Sequence, residues 1–346
     1  MAPVLKSESG SAPRIESVEP TAALPGGEIE VLGTNLGAIQ FRRPVAMLGD
    51  LAAPVVMSRG RRMMLRVPQE AISGKLRVLQ NGAQSNSINV EVATTLATGV
   101  HAVTNPAIDS NGNVFVTLSG SRGQETPVSV FRIERNGEVR PFLTGIMNAT
   151  GLAVDEEDRL YVSSRQEGTV YQVTPAGAAR VYAEGMGIAT GIAFDAEHNL
   201  YVGDRSGTIF KIAPDRQIFV FATLEPSVAA YHLAFGMDGT LYVTGPTTSS
   251  HDNVYAIDRN GNISVLYHGL GRPQGVAVDI SGAVYVAASL HGRRGVVRIS
   301  QSGEASLAVA GSSIVGLAFV PGSNALIATG SAVYDVALGI EGWHVG

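Results

Sequence analysis

The chain of 346 residues contains no cysteine, which excludes disulfides, thiolate nucleophiles and cysteine-ligated metals. That absence leaves the compartment open. No stretch of 18 apolar residues occurs, so no segment is expected to cross a membrane as a helix. Concentrated positive charge is lacking as well: 25 Lys and Arg face 30 Asp and Glu, for a net charge of −5. This balance argues against a polyanionic partner for the whole chain, because phosphate binding rests on clustered basic residues. Gly-rich phosphate loops and zinc-spaced His/Cys clusters are also missing. Residues 1–12 are polar and have no apolar signal core. The chain as given is therefore expected in the cytoplasm, although an exported form trimmed of its signal would read the same way.

Glycine and turn residues are abundant. Forty-one glycines and 16 prolines punctuate short β-branched and aromatic runs in a chain that is 45% hydrophobic. Such punctuation predicts an all-β protein with many tight turns and little helix.

One phrase organises most of the chain. Gly151-Leu-Ala-Val-Asp155 is followed by Arg159-Leu-Tyr-Val162 and Thr169-Val-Tyr-Gln-Val173, and the pattern returns. In register, the repeats align Ala107, Ala153, Ala193, Ala234, Ala277 and Ala318. Six copies recurring roughly every 40 to 46 residues indicate a repeat architecture. Each supplies about four short strands, a to d from the inside outward. The alanine falls on strand a, where six strands converge and larger side chains would collide. Six four-stranded sheets around an axis make a six-bladed β-propeller.

The segment before the repeats reads differently. Residues 1–12 are expected to be a flexible leader. From Pro13 onward, Glu28-Ile-Glu-Val-Leu32 alternates as a half-buried strand after a Pro25-Gly-Gly27 turn, and further short strands follow to Val92. The expectation is a small immunoglobulin-like β-sandwich over 13–93 and the propeller over 94–346. Two segments compete to complete the last blade: Thr94–Thr98 and the chain end from Gly342. The N-terminal strand is favoured, because it would tie the ends of the ring together.

Pro13-Arg-Ile-Glu-Ser-Val-Glu-Pro20, the Pro-Gly-Gly turn, Gly33-Thr-Asn-Leu-Gly37 and Ser85-Asn-Ser-Ile-Asn-Val90 together resemble a TIG (IPT) domain. For function that resemblance is nearly silent. The repeat wording is similar to the NHL-repeat and senescence marker protein/gluconolactonase groups of propellers. Lactonase-like members of those groups hold a divalent metal with a Glu, an Asn and an Asp from three blades, at the start of strand a. The matching positions here read Thr104, Thr150, Thr190, Tyr231, Gln274 and Val315. None is a carboxylate, and hydroxyls with one amide are poor ligands for a hard cation. No cofactor is therefore expected; a divalent cation enters only under an enzymatic reading.

The next position is glycine in four repeats but Asn105 in the first and His232 in the fourth. Across a six-fold ring these two are expected to face each other and bracket a small polar ligand at a channel mouth, beside Asp204 and Arg165. Asn105 also tolerates the backbone geometry that glycine permits. Asp204 matches the position where NHL-like repeats carry an aspartate that bonds loop amides. Repeat spacing varies most between strands b and c, so the b–c loops are the expected partner-contact face. They carry Arg122, Glu125, His251, His291, Arg293 and Arg294.

The sandwich segment has a basic group at Arg42, Arg43, Arg59, Arg61, Arg62 and Arg66. Aromatic platforms for stacking bases are missing there, which argues against nucleic acid. The leading expectation is a non-catalytic binding or scaffold module that contacts another protein. The alternatives are a lactonase-like hydrolase or lyase, and a small-molecule or glycan receptor.

Overall fold

The computed structural model describes residues 12–39, 42–121, 123–322 and 324–343. The expected leader lies almost wholly outside the described residues, and so does Arg122. Every described element is a strand; no helix is present among these residues, hence none long and apolar enough to cross a membrane. Two compact units divide the chain. One runs to Ala93 and includes Ala308–Gly311; the other comprises Thr94–Leu307 and Ser312–Gly346.

The first unit forms two antiparallel sets. Arg14–Glu19, Glu28–Thr34, Arg62–Arg66 and Val55–Arg59 pair in that order. Ile88–Val92, Gly74–Gln80, Val45–Leu48 and Leu51–Ala53 form the other. Alternation in Glu28–Thr34 buries Ile29 and Val31, and Gly74–Gln80 buries Leu76 and Val78 in the same way.

The second unit repeats a four-stranded antiparallel array. In the array carrying the organising phrase, Ala149–Val154, Leu160–Ser164, Thr169–Val173 and Ala179–Ala183 pair in order as strands a to d. Strand b is buried on both faces here, from Leu160 to Ser164. This explains why the Tyr-Val pair reads as a continuous apolar run. Tyr161 presents its edge to Phe194 on strand a of the next array, with centroids 4.8 Å apart. Tyr201 on Phe235 and Tyr285 on Phe319 repeat the contact at 4.9 and 5.1 Å. Each of these arrays is thus fastened to its successor by one aromatic pair, which adds about 1 kcal/mol beyond area burial.

The ring closes on itself. Thr94–Thr98 pairs antiparallel with Ala332–Ala337 and serves as strand d of the array built from Ile314–Val320 and Asn324–Thr329. The N-terminal strand therefore takes the closing position. Gly342, the competitor, instead bridges to Asp279 beside strand a of the fifth array, and the Trp343 backbone N–H donates to the Val278 carbonyl at 2.8 Å.

Candidate functional site

The start of strand a, where the metal-binding resemblance points, is engaged in backbone bonding. The Thr104 hydroxyl donates to the Thr150 carbonyl at 2.6 Å, Thr150 to Asn148 at 2.9 Å, and Thr190 to Gly203 at 2.7 Å. These three threonines are almost fully buried. The Tyr231 N–H donates back to Thr190 Oγ1 at 3.1 Å, and its phenol donates to the Glu225 carbonyl. The Tyr231 ring lies against Gly203 and Gly245, where a Cβ would overlap it, so its bulk fills the space between strands instead of the axis. Burial pushes this phenol well above its ordinary range. Gln274 is half-buried and donates its backbone N–H to the Ala287 carbonyl at 2.8 Å.

At the next position the inner strands approach closely. A Cβ at Gly191 would overlap the Tyr231 carbonyl, and one at Gly316 the Thr104 carbonyl, so four repeats need glycine there. Asn105 uses its amide instead: Nδ2 donates to the Val276 carbonyl at 2.8 Å, and Oδ1 accepts the Leu317 N–H at 3.2 Å. One side chain thereby joins three inner strands. His232 is 2% exposed, its Nδ1 is buried without a hydrogen-bond partner, and burial depresses its pKa to about 3. It is a neutral imidazole at physiological pH.

The loop residues mostly hold loops. The Arg165 guanidinium donates to the Gly120 carbonyl at 2.8 Å, while Asn148 binds Gly120 and Ser121 carbonyls and accepts the Gly123 N–H at 2.8 Å. Glu125, in this pinned loop, is exposed. Asp204 accepts the Ile188 N–H at 2.8 Å and the Ser206 hydroxyl. His251 and Asp252 do not work as a pair: His251 is exposed beside Ser250, whereas Asp252 is buried and accepts the Thr247 N–H and hydroxyl. His291 occupies a tight turn with φ of 49°, Arg293 is half-buried, and Arg294 is exposed.

A cavity of about 480 Å³ runs along the inner strands from Asn105 toward the turns between strands a and b. Of the expected channel-mouth residues only Asn105 lines it; Thr150, Thr190, Asp204, Arg165, Tyr231, His232 and Gln274 do not. The expected face was the b–c side, and the cavity opens toward the opposite turns. The physical reason is the hydrogen bonding just described, which draws the hydroxyls at the start of strand a onto neighbouring carbonyls. Small alanines further along leave the free space, among them Ala153, Ala193 and Ala277.

No family model matches the chain, and no curated protein matches it. Solved structures do. A gluconolactonase from Xanthomonas campestris aligns at 17% identity, covering 71% of this chain and 89% of its own, with a TM-score of 0.56. An auxiliary nutrient binding protein from Bacteroides thetaiotaomicron aligns at 11% identity, covering 95% and 98%, with a TM-score of 0.55. Virginiamycin B lyase from Staphylococcus aureus, solved with quinupristin, aligns at 12% identity, covering 96% and 97%, with a TM-score of 0.53. The repeat unit has a β-propeller fold. At these identities the likeness extends to the fold alone.

The donor set at the start of strand a does not fit a hard divalent cation, since its hydroxyls already donate to carbonyls and none is a carboxylate. Among the described residues no group of three His, Asp or Glu side chains is arranged to share a metal ion. Sequence reasoning missed the cavity's lower rim. Asp109, Asp155 and Asp158 reside in a–b turns there, and Trp343 closes one side. A signal for the first two was present: an aspartate two residues after the repeat alanine recurs at Asp109, Asp155, Asp195 and Asp279. Its oxygens accept turn amides, as Asp155 does from Arg159 at 2.9 Å.

Proposed function

We propose that the propeller binds a small molecule in its axial cavity without turning it over. In this reading 94–346 form a six-bladed propeller of the NHL and gluconolactonase-like kind, and 13–93 a TIG/IPT-like immunoglobulin sandwich. The observation that carries it is the cavity itself: about 480 Å³ lies within the range of small-molecule sites, and its wall mixes apolar inner-strand residues with polar groups at Asn105 and at the a–b turns. Ser110 at the rim donates its hydroxyl to the Asp158 carboxylate at 2.7 Å, but no histidine lines the cavity to relay a proton: His232 is sealed, and His251 and Asp252 diverge.

Fold likeness to a gluconolactonase and to virginiamycin B lyase supports a second reading, turnover of a lactone or cyclic ester. A panel of lactones and amphipathic small molecules, followed both by melting-temperature shift and by product formation with added divalent cations, separates the two. Binding without product is the expected result. Metal-stimulated product formation would replace the binding reading with the enzymatic one. Docking of a partner protein on the b–c loops is a separate expectation, checked by the stoichiometry of what co-purifies.

A further inference from the structure

We infer that the axial cavity takes a small organic cation with an apolar body, of the alkylated-ammonium type. This rests on the cavity being the binding site, and it adds the ligand's charge and shape. Four aromatic residues lie along the space: Phe194 and Trp343 are half-buried beside it, whereas Phe235 and Phe319 are almost fully buried between strands. Four carboxylates line it as well, Asp109, Asp155, Glu156 and Asp158, whereas no Lys, Arg or His does.

The carboxylates are not equally available. Asp155 is neutralised by the Arg159 guanidinium, 2.7 Å away. Asp158 accepts the Ser110 N–H and hydroxyl at 2.8 and 2.7 Å, and Asp109 accepts the Asn113 N–H and side-chain amide at 2.8 Å. These donors are neutral, so they fix the oxygens without cancelling the charge. Glu156 is exposed and meets only the His198 ring at 3.9 Å. Nearby Lys211 and Arg259 face Asp195 and Glu197, each at 3.9 Å, around an adjoining cavity of about 70 Å³ that shares Phe235 and Trp343 with the larger one. Three carboxylates therefore remain uncompensated around the larger cavity.

The aromatic wall is preformed. Phe194 is held edge-on by Tyr161, so little ordering cost is expected on binding. Trp343 is anchored through its backbone, and its indole N–H has no partner among the described residues. Aromatic faces attract weakly hydrated cations through their quadrupoles. Carboxylates just beyond the rings strengthen that attraction and repel anions. A compact, strongly hydrated ammonium gains less from the rings, which do not replace its water.

Trp343 is the single tryptophan of the chain and lines both this cavity and the smaller one beside it, so its emission reports on this end of the ring. The test titrates the whole protein with benzyltrimethylammonium, benzyl alcohol and phenylacetate at low ionic strength. A saturable emission shift is expected with the cation, at roughly fivefold lower concentration than with the alcohol, and none with phenylacetate. Glu156→Gln and Asp158→Asn should each weaken the cation by up to roughly fivefold, and added salt should weaken it further. Melting temperature and unliganded emission confirm that each variant is folded. Equal response to all three probes, or preference for phenylacetate, overturns the cation assignment and leaves cavity binding standing. No saturable response to any probe overturns the cavity reading with it.

Discussion

His232 is the residue whose chemistry is most changed by its surroundings. Four of the other repeats carry glycine at this position, yet here an imidazole is buried, with Nδ1 unpartnered and its pKa lowered from 6.5 to about 3. The folded state therefore refuses a proton that the unfolded chain binds between those values. Stability rises with pH wherever the unfolded state holds more protons, so this contribution is intact above pH 6.5 and is lost as pH falls toward 3. At pH 5 the loss is roughly 2 kcal/mol, because each step of one pH unit below the unfolded-chain value costs about 1.4 kcal/mol. His232→Leu removes the titration and an orphaned polar atom together. Urea unfolding at pH 7.5 and pH 5 should find the variant gaining on the parent by about that amount at the lower pH. An unchanged difference would mean that the imidazole titrates normally. Asn105 teaches the complementary lesson: its glycine-like geometry was readable from the repeat alignment, but its bonds to Val276 and Leu317 depend on residues far away in sequence.

Among the elements, the closing strand Thr94–Thr98 carries the most consequence for its length. Ala97 pairs with Val333 and is buried in a cluster with Val100, Val116 and Ala328. Ala97→Asp would bury an unpaired carboxylate against that cluster, at an expected cost of several kcal/mol. Hydrogen exchange should then show early loss of protection in Ala332–Ala337, while Leu160–Ser164 keeps its protection longer. Equal loss everywhere would mean that the ring unfolds as one unit instead of opening at its seam. Most strands of this ring were legible because alternation and the Tyr-Val pair recur in register, and an all-β fold followed from them. The closing choice was legible only as a preference between two segments. What decided it is spatial: Thr94–Thr98 reaches Ala332–Ala337, while Gly342 and Trp343 are held by Asp279 and Val278.

For the whole molecule, the cavity explains why the site was harder to read than the fold. Periodicity identifies which residues share a strand, but empty space arises only where strands from separate repeats converge. Ala153 and Ala277 are 124 positions apart yet line one cavity, and Trp343 joins them from a segment with no repeat pattern. The alignment did reveal that the metal-ligand positions of lactonase-like propellers hold no carboxylate, and the geometry adds that Thr104, Thr150, Thr190 and Tyr231 donate their hydroxyl protons to backbone carbonyls. A cation there would have to break those buried bonds, at about 1 to 3 kcal/mol for each group left unsatisfied. Thermal melting should accordingly keep the same midpoint, within about 1 °C, after dialysis against EDTA and after adding millimolar calcium; a ligand that binds only the folded state would raise it. A calcium-dependent rise would show that a hard cation finds oxygen ligands elsewhere in the ring, the rim carboxylates Asp109, Glu156 and Asp158 included, and it would move the lactonase-like reading ahead of simple binding.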